Sequence, residues 1–561
     1  RLFKGLFLRV FDDVGVLRVD ADVACIRILR QLFYAAKKMK VTCDDSRTWE
    51  HIHEFFHIDQ GLRSPSLSWD ADEFRVSDLR DLHLGDPCDT VPAPLFRDDN
   101  NHPGEESLVS YNAESLEAVQ RTADIVSACL GGFDPAEWRP KHGPGAVADQ
   151  RHTQFKYDFP NWPAKLEAVF PMSLFGFANY EHWVAHLKDD GAQHLYSFAE
   201  PPSRLLAVPK TLKGPRLIAS EPVAHQWCQQ TILDFLVSNL AKTPIAESIH
   251  FRDQTQNQEF AKRASHTQSH VTVDLSSASD RLSCWTIERI FRRNSSLVSA
   301  LHATRTRWVA NAIDRKSPQY HKLRKFACMG SACTFPVQSY VFTILAIGSL
   351  LFSRGIQPTI ASVREASREV RVFGDDIIIP LDGWEILQGV LGRLQLKVNP
   401  NKTYDTGKFR ESCGLDAYDG HDVTPTYSMT YPEVSRPESI TSVVQSHNNF
   451  AMRGLWTVAR YVKSRVDTLK RFSFMNLPLG SGDFGWYDFD GKGNDHLQRR
   501  FNQSLQRIEY RVDSPKSRST RLLPESSSVL LQFFTVSRSP PKYLLGDRLG
   551  VVQRATTSIR R

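Results

Sequence analysis

Two short apolar runs pivot on Gly374-Asp375-Asp376, and no other stretch restricts the fold as tightly. Val372 and Phe373 lead in, and Ile377, Ile378 and Ile379 lead out. β-branched and aromatic residues flanking a glycine turn predict a β-hairpin. Two adjacent carboxylates at its apex raise each other's pKa and oppose folding. A divalent cation reverses that sign. The hairpin therefore asks for a metal and for further carboxylate from elsewhere in the chain.

Val271-Thr272-Val273-Asp274-Leu275 supplies it: an alternating strand with an acid near its end. A helix is expected next, capped by Ser279 or Asp280, with Cys284, Ile287 and Phe291 on one face. Another begins near Thr334, takes Pro336 in its first turn and continues to Phe352. Its apolar stretch, Tyr340 to Phe352, is too short for a membrane span and reads as a buried core helix. After the hairpin, Asp382 with Glu385 has capping-box spacing, and Trp384, Leu387, Leu391 and Leu394 form a buried stripe. The order strand, helix, helix, hairpin, helix gives an α+β unit, an antiparallel sheet with helices on one face.

Oxygen ligands alone, Asp274, Asp375 and Asp376, suit Mg²⁺ or Mn²⁺ far better than zinc. Two such ions clamp the attacking and leaving oxygens of a phosphoryl transfer. Upstream, Lys210, Lys213 and Arg216 recur every third residue in a segment stiffened by proline and glycine. They suit a triphosphate; a solvated charged loop has the same composition. Asp280 reads equally as a helix cap or as an acceptor for a ribose hydroxyl.

Other motifs carry less. His53-Glu54-Phe55-Phe56-His57 fits the zinc-hydrolase spacing but has no third ligand at a diagnostic distance, and its phenylalanines suit a buried helix. Gly480 to Gly485 matches a dinucleotide fingerprint without the strand before it or the helix after it, so it is a loop. Gly491-Lys492-Gly493 lacks the remainder of a phosphate-binding loop. Nine cysteines form no C-x-x-C pair, which predicts reduced thiols. The opening residues show no secretory-signal pattern. The net charge of +7 is concentrated at the end: residues 499–561 hold 13 basic and 4 acidic residues, the remainder 57 and 59. That suits either contact with a polyanion or a solvated tail.

In this order the segments resemble viral RNA-dependent RNA polymerases, and more closely the replicase beta subunits of Qβ-like single-stranded RNA bacteriophages. Lys210 to Pro222 resembles the nucleotide-entry motif, and Asp253 to Gln258 a family segment. Asp274 to Asp280, Met329 to Phe335 and Val372 to Pro380 resemble polymerase motifs A, B and C. Lys402-Thr403, Phe409 to Gly414 and Asp422 to Pro425 resemble the downstream block. Motif B departs from the common viral pattern, with Ala332 and Cys333 in place of glycines and Gln338 in place of Asn.

The resemblance implies a right-hand fold. Residues 1–197 would form an N-terminal region and part of the fingers, and 198–264 fingers with the basic entry motif. Residues 265–429 would form the palm, and 430–561 the thumb and basic C-terminal region. It implies that Asp274, Asp375 and Asp376 bind two Mg²⁺ (Mn²⁺ being an alternative) and that Lys210, Lys213 and Arg216 hold the nucleoside triphosphate. Asp280 would read the ribose, with Gly330 and Thr334 beside the nucleotide, and Lys402 would serve as a general acid. Implied partners are an RNA template and product, host elongation factors Tu and Ts, and a ribosomal RNA-binding protein. The setting would be the bacterial cytoplasm, without membrane attachment. Two rival readings remain at this level, a reverse transcriptase-like palm enzyme and a non-catalytic phage RNA-binding protein.

Overall fold

The computed structural model describes residues 3–40, 43–65, 67, 94–95, 109–143, 145–149, 156–190, 200–211, 214–521, 526–535 and 552–560. Its central sheet has the order β6-β7-β3-β8 and is antiparallel throughout. The strands are β3 (His270–Ser276), β6 (Arg371–Phe373), β7 (Asp376–Pro380) and β8 (Lys397–Val398). Alternation decides the faces. Val271, Val273, Leu275, Val372, Ile377 and Ile379 enter the main hydrophobic core. Thr272, Asp274, Asp376 and Ile378 therefore point the other way. The β3–β7 register pairs Thr272 with Ile378 and Asp274 with Asp376.

Helix α6 (Thr334–Ser353) is covered on the apolar face by its neighbours α2 (Val109–Cys129) and α7 (Leu381–Arg393). It is long and apolar enough to cross a membrane, yet 89% of its apolar window is buried inside the protein, as expected of a core helix. Gly348 allows α2 to approach: a Cβ there would lie 2.6 Å from Val119 Cα. The stripe Trp384, Leu387 and Leu391 of α7, continued by Leu394 just past its end, is buried as its spacing predicts.

The second face of the sheet is also covered, which corrects the one-face expectation. On it, α4 (Thr255–Thr267) sets Phe260 edge-on to His270 at 4.9 Å and against the Arg371 guanidinium at 5.0 Å. A small sheet of β9 (Phe409–Ser412), β10 (Leu415–Tyr418) and β11 (His421–Asp422) joins it, with Glu411 N donating to Thr272 Oγ1 at 3.3 Å. Thr272 and Ile378 explain the cover: their outward side chains leave a semi-apolar surface that water would wet poorly.

Two caps differ from expectation. Residues 279–281 form a 3₁₀ turn, and extended Leu282 delays the helix to α5 (Cys284–Ile290). Ser283 caps it, accepting from Thr286 N at 3.2 Å. Helix α7 starts behind Pro380 with no side-chain cap. Asp382 is drawn instead to Arg354 Nε at 2.7 Å, an ionic partner that outcompetes a local backbone donor.

A second sheet, β2-β1-β4-β5, stands beside the first. Its strands are β1 (Ser203–Thr211), β2 (Gly214–Ser220), β4 (Trp308–Ala310) and β5 (Tyr320–Lys322), with β1 and β2 forming the basic hairpin. Helix α1 (Asp45–Gln60) packs on it through Ile52, Phe55 and Phe56. His53 and His57 share a face of α1 with parallel rings 6.4 Å apart, and both are exposed. Further along, α8 (Pro437–Met452) and α9 (Trp456–Asp467) pair before a turn-rich region. There a short strand β12 (Asn476–Pro478), unexpected from the sequence, pairs in parallel with β13 (Trp486–Asp488). The glycine stretch between them is a loop without a helix, as expected. Eight cysteines among the described residues are free thiols.

Candidate active site

The turn between β6 and β7 is built for its residues. Gly374 has φ +65°, a left-handed conformation that glycine adopts without strain. Its N–H donates to Ser339 Oγ of α6 at 3.1 Å. Phe335, also on α6, packs at 4.9 Å against Phe373. The core helix thus fixes the tip that carries Asp375 and Asp376.

Asp274 and Asp376 are direct cross-strand neighbours, where like charges destabilise a sheet. Burial, reinforced by Asp375 and Asp274, pushes Asp376 up to about 7. Asp375 is also raised, by burial first and then by Asp274. The opposing contacts are few. Cys413 N donates to Asp376 Oδ2 at 3.0 Å. Lys402 Nζ lies 3.0 Å from Asp274 Oδ1, and Asn399 Nδ2 lies 2.8 Å from Asp274 Oδ2. Asn399 also donates its backbone N–H to the Asp274 carbonyl at 2.9 Å, so the loop after β8 grips both parts of this residue. The ammonium of Lys402 is raised by Asp274 although partial burial opposes its charge.

On the β1–β2 hairpin, Lys210 is lowered first by partial burial of its ammonium and then by Arg216 and Lys402, with Asp375 and Asp274 acting in the opposite sense. The basic strand therefore shares one electrostatic field with the carboxylates. Arg216 stands opposite Val208 on β2. Lys213, the middle cation expected there, lies outside the described residues.

The 328–334 loop is pressed against β2. Gly330 has φ +127°, and a Cβ on it would come within 1.9 Å of the Ala219 carbonyl oxygen, so only glycine fits. Ala219 N donates to the Met329 carbonyl at 2.7 Å, joining the two segments. Thr334 is buried, and its Oγ1 donates to the Cys328 carbonyl at 2.8 Å. Asp280 Oδ1 accepts from Lys325 Nζ at 3.0 Å.

Asn399 and the Cys413 N–H were missed from sequence. One is an ordinary turn residue, and the other acts through backbone that any residue supplies.

No three His, Cys, Asp or Glu side chains among the described residues converge into a ready-made metal cage. The donor set nonetheless fits magnesium, which takes one or two protein carboxylates and completes its shell with water and phosphate. The raised Asp375 and Asp376 lack positive charge in the way that a hard cation corrects.

The family profile described as RNA replicase, beta-chain, matches residues 110–447. The chain is 30% identical over 452 residues to the RNA-directed RNA polymerase subunit beta of Escherichia virus Qbeta, covering 77% of this chain and 67% of that one. It is 32% identical over 234 residues to the RNA-directed RNA polymerase beta chain of Enterobacteria phage GA, covering 41% and 40%. Against the beta chain of Escherichia phage MS2 it is 30% identical over 224 residues, covering 40% and 37%. The alignments to GA and MS2 thus span less than half of those proteins.

Proposed function

We propose that the chain, which belongs to the RNA replicase beta-chain family and is an RNA-directed RNA polymerase, copies a phage RNA genome through two divalent cations held by Asp274, Asp375 and Asp376. The observation carrying this reading is the β3–β7 register, which sets Asp274 against Asp376 at the hairpin apex. Mg²⁺ bound there would supply Lewis-acid stabilisation at the attacking 3′-oxygen and the leaving pyrophosphate.

The protein's own groups do the remainder. Lys210, Lys213 and Arg216 bind and orient the triphosphate, presenting its α-phosphate to the primer end. Lys402, held in the site by Asp274, donates a proton to the departing pyrophosphate. Asp280 accepts from the ribose 2′-hydroxyl, while Thr334 fixes the loop that Gly330 lets pack against β2 beside the nucleotide. In the right-hand division, the central sheet is the palm (265–429), residues 1–264 hold the N-terminal region and fingers, and 430–561 the thumb. RNA template and nucleoside triphosphates are the substrates. Host elongation factors Tu and Ts and a ribosomal RNA-binding protein complete a complex in the bacterial cytoplasm, a reading supported by the designation "beta" of the relatives.

The test is templated incorporation by the full chain copurified from a bacterial host, with Mg²⁺ and either ribo- or deoxyribonucleotides. RNA synthesis that disappears in Asp375→Asn is expected. Preferential DNA synthesis would instead identify a reverse transcriptase, and full activity in Asp375→Asn would sink the metal assignment.

A further inference from the structure

Lys325 is the most unusual lysine near the site. It is fully buried, where an ammonium loses its hydration and a leucine or methionine would pack at lower cost. Its Nζ lies 3.4 Å from the centroid of the Phe55 ring and 3.0 Å from Asp280 Oδ1. Among the described residues, Lys325 is the partner of the Asp280 carboxylate, whose side chain remains 20% exposed. The backbone of Lys325 is fixed as well. Asp59, itself buried, accepts from Lys325 N at 2.9 Å and from Arg324 N at 3.0 Å, and meets the His321 ring at 2.8 Å. Burial opposes the charge of Lys325, but Asp280 and Asp59 hold its pKa above the ordinary lysine value.

Phe55 and Asp59 both belong to α1, the helix bearing the His-Glu-x-x-His spacing that no metal chemistry explains. We infer that α1 and Lys325 form a brace that determines sugar specificity: Lys325 is a positioning residue that ties down one oxygen of Asp280 and leaves the other aimed at the nucleotide's 2′-hydroxyl. The inference rests on the reading of Asp280 as the ribose acceptor. A carboxylate free to rotate satisfies itself with water and discriminates weakly. One with a fixed oxygen is left unpaired when a deoxyribonucleotide binds, and an unpaired buried acceptor is what gives a polar site its selectivity.

The experiment compares kcat/KM for CTP and for 2′-deoxy-CTP on one RNA template, in the same preparation of the full chain with its copurifying host proteins. The ratio cancels the active fraction. Asp280→Asn should lower the ratio about 10-fold or more. Lys325→Met should lower it to a similar extent, adding nothing in the double variant, and Lys325→Arg should restore part of it. Asp59→Asn, which touches neither substrate nor Asp280, should lower it about 2- to 5-fold and decides the matter alone if Lys325→Met does not fold. A ratio unchanged in Asp280→Asn overturns the ribose reading and the brace with it. A ratio lost in Asp280→Asn but kept in Lys325→Met, or in Asp59→Asn where that variant alone is available, overturns the brace and leaves the ribose reading standing.

Discussion

Two clusters of charge lie within this fold, and they are balanced in opposite ways. Around Glu200, a single carboxylate accepts from Lys165 at 3.0 Å and from Arg307 Nε at 2.6 Å, with His225 at 3.7 Å, and every one of these side chains is almost completely buried. Although burial opposes it, Lys165 and Arg307 hold Glu200 well below the ordinary carboxylate range. Burial pushes His225 down to about 3, so it adds no charge. At the β6–β7 turn the proportions reverse, with three carboxylates and few cations, and Asp376 is pushed up to about 7. Internal compensation makes the first cluster a structural pin. The second is left short of positive charge, a deficit that substrate and metal can fill from outside.

The sharpest separation of the two is by substitution. Asp274→Asn should reduce nucleotide incorporation about 10³-fold while leaving the melting temperature unchanged or raised, because a cross-strand repulsion is relieved. Glu200→Gln should do the reverse. It strands Lys165 and Arg307 and costs about 3–5 kcal/mol in denaturant titrations, with incorporation per folded molecule within about 2-fold of the parent. Loss of activity without loss of stability in Glu200→Gln would erase the distinction. A smaller effect is expected of Gly330→Ala, which forces a Cβ against the Ala219 carbonyl at positive φ. It should cost about 1–3 kcal/mol and impair incorporation more than a change remote from the site with the same stability loss.

The smallest effect is a pH profile. A carboxyl raised in the folded state binds its proton more tightly there than in the unfolded chain. Folding therefore loses stability as pH climbs from about 4, the unfolded value, to about 7. Melting curves in EDTA should show that decline, and Mg²⁺ should flatten it. A flat profile in EDTA would mean that Asp376 is already ionised at low pH and that the deficit is small.

The parts of the site that follow local rules were legible in the sequence. Val271 to Leu275 alternates and Ile377 to Ile379 is β-branched, so both strands and the turn at Gly374 could be placed. Trp384, Leu387 and Leu391 repeat at helical spacing, and the face of α7 followed. Contacts made across the chain were not legible. Ser283 displaced Ser279 and Asp280 as a cap because Leu282 adopts an extended conformation, which composition does not reveal. Asp382 met Arg354 across the fold, not its own helix terminus. Lys165, Glu200, His225 and Arg307 have no mutual spacing, so their pin emerges only when the tertiary structure brings them together. The basic C-terminal excess falls partly outside the described residues, and its strand β15 (Arg507–Tyr510) folds back on β14 (Arg499–Asn502) through β-pairing that charge alone does not predict.

The register between β3 and β7 makes the site depend on chain segments synthesised far apart. The Gly-Asp-Asp turn closes between adjacent strands, but Asp274 comes from about a hundred residues upstream, and Asn399 clasps it from downstream. Closing a loop on that scale costs more chain entropy than closing the hairpin alone. Asp274 precedes the tip in synthesis, so the three acids can meet only once β6 and β7 have followed β3 out of the ribosome, and the Asn399 clasp comes last. A product that ends before the β6–β7 turn therefore holds one acid of the three, and the whole cluster with its clasp exists only in a chain that has reached Asn399.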